Sequence, residues 1–424
     1  LPVQAIHMDI TEYNVVWARD GHTMWQLQGL IDFGDLVRTW RIADLSVTCA
    51  ALLHHAEGDP LYILPAIQAY HAINPLRLEE LQALWPLIVA RSAVLVLSSE
   101  QQASIEPDNA YIQANLASEW NIFDVATSVP IALMNAAILD AVGLLEGRDD
   151  AQAYSPLLPS LNGQAFVTVD LGVLSEHFNA GNWEQSGIDE QLLKETAHAH
   201  GLAASRYGEY RLSRTLPDSA REPATFALHV EVVIPHGTAV HAPFHGTLRH
   251  TADGALMLVG AESNLRVWGV RSDFDSGVEF GAGDVIGQGG GSLIVQLCSE
   301  PDVSPPLFCT PSRAAAWRSL CPSPQGLLGF DCDAPALEDA AHLLARRDAS
   351  FARSQKHYYQ APPQIERGWR NHLIDMQGRS YLDMLNNVAV LGHGHPRMAQ
   401  VAAKQWSLLN TNSRFHYAAI AEFS

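Results

Sequence analysis

"AIHMDITEYNVVW" at residues 5–17, followed by "GLIDFGD" at 29–35, decides how the front of this chain folds. The β-branched and aromatic runs in "NVVWARDG" and "MWQLQGLIDFG" flank an Asp-Gly pair, which reads as strand, turn, strand over residues 1–35. The hairpin carries polar residues at fixed offsets: His7, Asp9 and Asn14 in H-x-D-x-x-x-x-N order, then Asp32 after the second strand. Carboxylate and amide oxygens are the hard donors that Mg²⁺ takes. Phosphoryl transfer needs a carboxylate to orient and deprotonate the attacking hydroxyl, and a cation to neutralise the phosphates. On this reading Asp9 is the catalytic base, and Asn14 and Asp32 hold Mg²⁺. The plain alternative is a hairpin with incidental polar residues. Two spaced elements in matching strand context weigh against it.

Beyond residue 36 the pattern turns helical as far as about 146, with Ile42, Leu45, Cys49 and Leu52–Leu53 at three- and four-residue steps. The most apolar run, "LWPLIVARSAVLVLS" at 84–98, is interrupted by Arg91 and reads as a buried helix. Residues 150–222 are mixed, with a strand in "FVTVDLGVLS" and a helix in "DEQLLKETAHAHG" that stops on Gly201. Residues 224–297 are β-rich. The Pro, Ser and Cys of 299–335 suggest a linker. A helix over 335–353, a strand–turn–strand "HLIDMQGRSYLDM" and a last helix from Pro396 to Leu409 follow. The fold class is multidomain α+β, divided into 1–148, a mixed connection 149–222, a β domain 223–300, a linker 301–334 and a last domain 335–424.

The 424 residues are 47% hydrophobic and 17% charged, a folded composition with ample core. A formal net charge of −20 argues against nucleic acid or an anionic membrane as partner, and leaves small-molecule substrates open. Five cysteines occur with no C-x-x-C pair. Cys298, Cys309, Cys321 and Cys332 are spaced by 11, 12 and 11 residues, which fits no common zinc pattern. Free thiols and a cytoplasmic location are the expectation.

The front constellation resembles that of the aminoglycoside phosphotransferase-like kinases, whose loop commonly reads H-G-D. Here Met8 stands where that loop has glycine. The resemblance implies a mostly helical kinase C-terminal lobe over 1–148, with ATP and Mg²⁺ as cofactors. The tail after "IDFGD" is most similar to the amino-alcohol kinase branch. The strand lysine and ATP-covering lobe of such kinases have no counterpart in the six residues before His7. With a start at Leu and an end in mid-pattern at "AAIAEFS", the chain reads as an internal fragment, expected to be inactive as a kinase by itself.

"VVIPHGTAVHAPFHGTLRH" at 232–250 and "GAGDVIGQGG" at 281–290 resemble the scaffold of lysostaphin-type (M23) peptidases. The ligands of that family are replaced. Its first His falls on Ala227, its Asp on Glu231, its H-x-H on Ser292 and Ile294, and a further His on Val270. Zinc needs three converging protein ligands, so no zinc is expected and a spacer or docking role is the reading. A rewired site using His241 and His245 is the alternative.

"GRSYLDMLNNVAVLGHGHPRMAQVAAKQWSLLNTNSRFHY" at 378–417 resembles the N-terminal segment of class III aminotransferases, fold-type I PLP enzymes, and especially their phospho-lyase branch. The likeness implies Asn386, Asn387 and Arg414 as substrate-side residues and a homodimer formed through the PLP domain. The lysine that binds PLP in that family lies far downstream. Lys404 is not its equivalent, and no covalent PLP is expected here. Three regions in this order imply a bifunctional enzyme that phosphorylates an amino alcohol with ATP and then eliminates phosphate, or transaminates, with PLP. A non-catalytic scaffold of degenerate domains is the alternative, as is a plain class III aminotransferase with accessory domains.

Overall fold

The structure, a computed structural model, describes residues 1–19, 25–146, 153–352, 359, 361–384 and 390–408. Two compact units divide the chain: residues 1–149 with 315–320, and residues 150–314 with 321–424.

In the first unit, β1 (Val3–Ile6), β2 (Val15–Arg19), β3 (Trp25–Leu30) and β4 (Val37–Trp40) form two antiparallel ribbons, β1 with β4 and β2 with β3. The tip at 20–21, where the sequence puts an Asp-Gly turn, lies outside the described residues. Residues 37–40 are a strand rather than the start of the helical block. Val37, Thr39 and Trp40 favour extended backbone, and β1 supplies their ladder partners.

Helices α1 (Arg41–Leu52), α2 (Leu64–Ile73), α3 (Leu78–Ile105), α4 (Ala110–Thr127) and α5 (Ile131–Ala141) follow. Ile42, Leu45, Cys49 and Leu53 share one stripe at helical spacing and bury against Leu81, Leu84, Trp85 and Ile88 of α3. Each such side chain contributes about 1.5–3 kcal/mol by leaving water. By length and composition α3 is apolar enough to cross a membrane. Its own residues Leu81, Leu84, Trp85 and Ile88 are fully buried in this core. Arg41 opens α1 and fixes it to α3. Its Nε donates to Glu80 Oε1 at 2.9 Å and its Nη1 to Asn74 Oδ1 at 2.9 Å. Burial pushes the Glu80 carboxyl up, but Arg41 and the Arg77 amide outweigh it and hold it below its ordinary range.

The second unit is built on a nine-stranded sheet. Its strands are β5 (Val167–Thr168), β6 (Ala203–Ala204), β8 (Val230–Val233), β9 (Ala239–His241), β10 (Gly246–His250), β11 (Leu256–Val259), β12 (Asn264–Arg271), β13 (Glu279–Phe280) and β14 (Val285–Cys298). They lie in the order β13-β10-β11-β12-β14-β8-β6-β5, with β9 on β14. All pairs are antiparallel except β5 with β6. Strand β7 (Phe226–Ala227) pairs separately with Phe308–Cys309. At the break in register between Trp268 and Val270, Gly269 has φ +81° and a Cβ there would meet Ser292 O at 2.1 Å, so the bulge requires glycine. One face of the sheet buries Leu258, Leu265, Val267, Leu293 and Val295 at alternating positions.

Three expectations change in this unit. The supposed linker 301–334 is packed in this unit over 301–314 and 321–334. Asn264 Nδ2 donates to Glu300 O and Val303 O, Arg266 Nη1 to Pro305 O and Gln296 Nε2 to Pro306 O, while Leu327, Leu328 and Cys332 enter the core. A proline-rich stretch offers carbonyls without amide donors, and polar side chains on β12 and β14 capture them. "FVTVDLGVLS" is a strand only at Val167–Thr168, after which Val169, Leu171 and Val173 bury in a separate core. That core also takes Ile374, which lies in the ribbon of Ile365–Trp369, His372–Asp375 and Ser380–Leu382. Residues 149–222, 223–300 and this ribbon therefore belong to one unit rather than three regions. Trp369 packs so closely on the backbone at Gly181 that a Cβ there would lie 2.2 Å from its ring.

Candidate functional site

Asp9, Asn14 and Asp32 all line one cleft of about 550 Å³ in the first unit. The loop that carries the first two is clamped by α1, whose Asp44 and Thr48 stand one turn apart on the same face. Met8 N donates to Asp44 Oδ1 at 2.9 Å, and Thr48 Oγ1 donates to Ile10 O at 2.9 Å. Asn14 Nδ2 donates to Asp9 O at 2.9 Å and to Asp9 Oδ2 at 2.8 Å. That double contact commits the amide nitrogen and leaves the Asn14 oxygen as the atom available to a cation. Asp9 Oδ1 lies 3.9 Å from Arg91 Nη2.

Asp32 occupies the left-handed region at φ 62°, a conformation that Asp tolerates better than most residues, and weakly accepts from Gly34 N at 3.4 Å. His7 ties the two motifs together. Its Nε2 is 3.0 Å from Ile31 O, just before Asp32, and its ring lies 4.8 Å from that of Phe33. The ring is buried, and its Nδ1 has no partner among the described residues. The sequence marked His7 without a role; its contacts show it positioning Asp32. Asp44 and Thr48 were missed. Their signal was an i, i+4 polar pair on a helix whose other polar residues are Arg41 and Ser46.

Met8 has φ 68°, which accounts for glycine in the commoner form of this loop. The departure is one of backbone strain and leaves Asp9, Asn14 and Asp32 lining one cleft. The amide oxygen of Asn14 and the carboxylate of Asp32 are donors that suit Mg²⁺, which is bound through one or two carboxylates plus substrate phosphates, and Asp9 lines the same cleft.

The β sheet places the expected zinc-ligand positions as follows. Glu231 is cross-strand to Ile294, Ser292 to Val233 and Val270 to Gly289, while Ala227 lies on β7. Of these only Glu231 has a metal-binding side chain, and other side chains of the protein attend it: His229 Nε2 at 3.3 Å and the Arg211 guanidinium Nη1 at 3.7 Å. Arg211 is fully buried and also faces Asp189 Oδ2 at 3.2 Å and Glu209 Oε2 at 3.1 Å. His241 Nδ1 is engaged with Gly283 O at 2.8 Å. Among the described residues no group of three or more His, Cys, Asp or Glu side chains converges as a metal site.

Asn386, Asn387 and Arg414 lie outside the described residues. Of the three lysines, Lys194 is paired with Glu190, Lys404 is exposed on the helix Pro396–Leu408, and Lys356 lies outside the described residues.

Residues 1–81 match the phosphotransferase enzyme family. A stretch of 61 residues is 41% identical to an alanine–glyoxylate aminotransferase 2-like protein of Drosophila melanogaster, over 14% of this chain and 12% of that one. A probable mitochondrial acetylornithine aminotransferase of Schizosaccharomyces pombe is 40% identical over 62 residues, 14% of each chain. The ethanolamine-phosphate phospho-lyase homolog 1 of Caenorhabditis elegans is 30% identical over 73 residues, 17% of this chain and 16% of that one. The chain spans about one-eighth to one-sixth of the length of these relatives. The crystal structure of cbpa from L. salivarius REN covers 26% of this chain at 15% identity and a TM-score of 0.17, too slight a likeness to bear on the fold. One chain thus joins a phosphotransferase-like region to a stretch similar to aminotransferases and a phospho-lyase homologue. None of these similar proteins supports the peptidase-like reading of 223–300.

Proposed function

We propose that the first unit is the acceptor and metal side of an ATP-dependent phosphotransferase acting on an amino alcohol, in a protein whose other activity is PLP-dependent lyase or aminotransferase chemistry. The observation that carries this reading is the single cleft shared by Asp9, Asn14 and Asp32. Asn14 and Asp32 hold Mg²⁺, which supplies charge neutralisation of the phosphates. Asp9, fixed by the Asn14 amide, orients the acceptor hydroxyl and takes its proton. His7 and α1 hold both motifs in register. Loss of a positioned base slows such transfers by about 10²–10⁴-fold.

The coupling of the two activities has chemical sense. Phosphorylation turns a poor hydroxyl leaving group into one that PLP chemistry eliminates. The phospho-lyase homologue among the similar proteins supports this order, and the aminotransferases keep transamination as the alternative second step. For residues 223–300 we assign a structural role, since Arg211 stands against the one carboxylate at the former ligand positions. The acidic charge argues for a small-molecule substrate over nucleic acid or membrane surfaces, and five buried free thiols suit a reducing cytoplasm.

The test is Mg²⁺-dependent binding of the reaction product. Phosphoethanolamine should bind the chain in Mg²⁺, and EDTA or Asp32→Asn should weaken binding at least ten-fold by calorimetry. Binding indifferent to both would refute the phosphotransferase reading.

A further inference from the structure

Resting on that reading, the geometry points to Glu119 as the subsite that recognises the acceptor's ammonium group, so that the cleft selects an amino alcohol over a neutral one. Glu119 stands on α4, in the wall of the same cleft as Asp9 and Asp32. Its Oε2 is buried and has no hydrogen-bond partner among the described residues. A carboxylate oxygen shielded from water and left without a donor costs free energy that a ligand N–H recovers.

Charge balance points the same way. Asp9, Glu12, Asp32 and Glu119 line the cleft against one guanidinium, Arg91, whose ion pair is with Asp9. One divalent cation together with Arg91 offsets three of the four carboxylates, which leaves the lining one negative charge in excess for a cationic ligand. Val47, Ala50 and Ala51 of α1 keep the floor apolar, which strengthens an ammonium–carboxylate contact above it. Burial raises the Glu119 carboxyl, with the Ser99 hydroxyl and Arg91 opposing; a bound cation acts in the same direction as those two.

The experiment compares phosphoethanolamine with ethylene glycol monophosphate, which lacks the amine, by calorimetry in Mg²⁺. The wild-type chain should prefer the amine about ten-fold or more, as a charge-assisted contact provides. Glu119→Gln should abolish the preference while binding of the glycol phosphate and the melting temperature stay unchanged. A preference that survives Glu119→Gln overturns this assignment and leaves the phosphotransferase reading intact. Failure of both phosphates to bind in a Mg²⁺-dependent way overturns both.

Discussion

Met8 shows how a single side chain departs from a pattern without removing the chemistry. A methionine held at φ 68° carries strain of about 1–2 kcal/mol that glycine does not. Met8→Gly should therefore raise the stability of the first unit by about 1 kcal/mol in urea unfolding, less whatever the unfolded chain gains in freedom. A loss of about 2 kcal/mol or more would show that the Met8 side chain is itself a packing contact. The two polar motifs were legible in the sequence because their offsets are local. What placed them in one cleft was not: His7 meets Ile31 and Phe33 across twenty-four residues and more, through a carbonyl and a ring that any sequence contains.

Between elements the second unit relies on a buried charge knot. Asp189 from the helix Ile188–His200, Glu209 and Arg211 from the following loop, Glu231 from β8 and His229 just before it meet with almost no solvent. Burial pushes the Glu209 carboxyl up to about 7, against the pull of Arg211 and the Leu171 amide. Its contribution is fully present below its ordinary value of 4.5 and is lost as pH rises through about 7. Glu231 runs the other way. Burial raises it, but the His229 hydrogen bond and Arg211 bring it down to about 2, so its contribution holds above 4.5 and is lost as pH falls toward 2. Glu209→Gln mimics the protonated acid. It should match the wild type at pH 4 and exceed it at pH 8 by roughly 3 kcal/mol, since each tenfold change in proton affinity is worth about 1.4 kcal/mol. Parallel denaturation curves across that range would contradict the assignment. The strands of 230–298 were readable from alternation and glycine turns. The knot was not, since nothing in the spacing of Asp189, Arg211 and Glu231 announces that they meet.

For the whole molecule, the sequence carried the likeness of one region to phosphotransferases and of another to aminotransferases better than it carried the boundaries between elements. Proline and serine near 301–334 signalled a linker, yet their carbonyls are bound by Asn264, Arg266 and Gln296. Composition reports what a segment can do alone, whereas partners far along the chain decide what it does. The central claim is that one divalent cation sits among Asp9, Asn14 and Asp32. Paramagnetic broadening by Mn²⁺, a surrogate for Mg²⁺, tests it without any nucleotide. Methyl signals of Val47, Leu95 and Ile122, which line that cleft, should broaden first and selectively, and Asp32→Asn should abolish the effect. Broadening spread over the acidic surface, or unchanged by Asp32→Asn, would contradict the account.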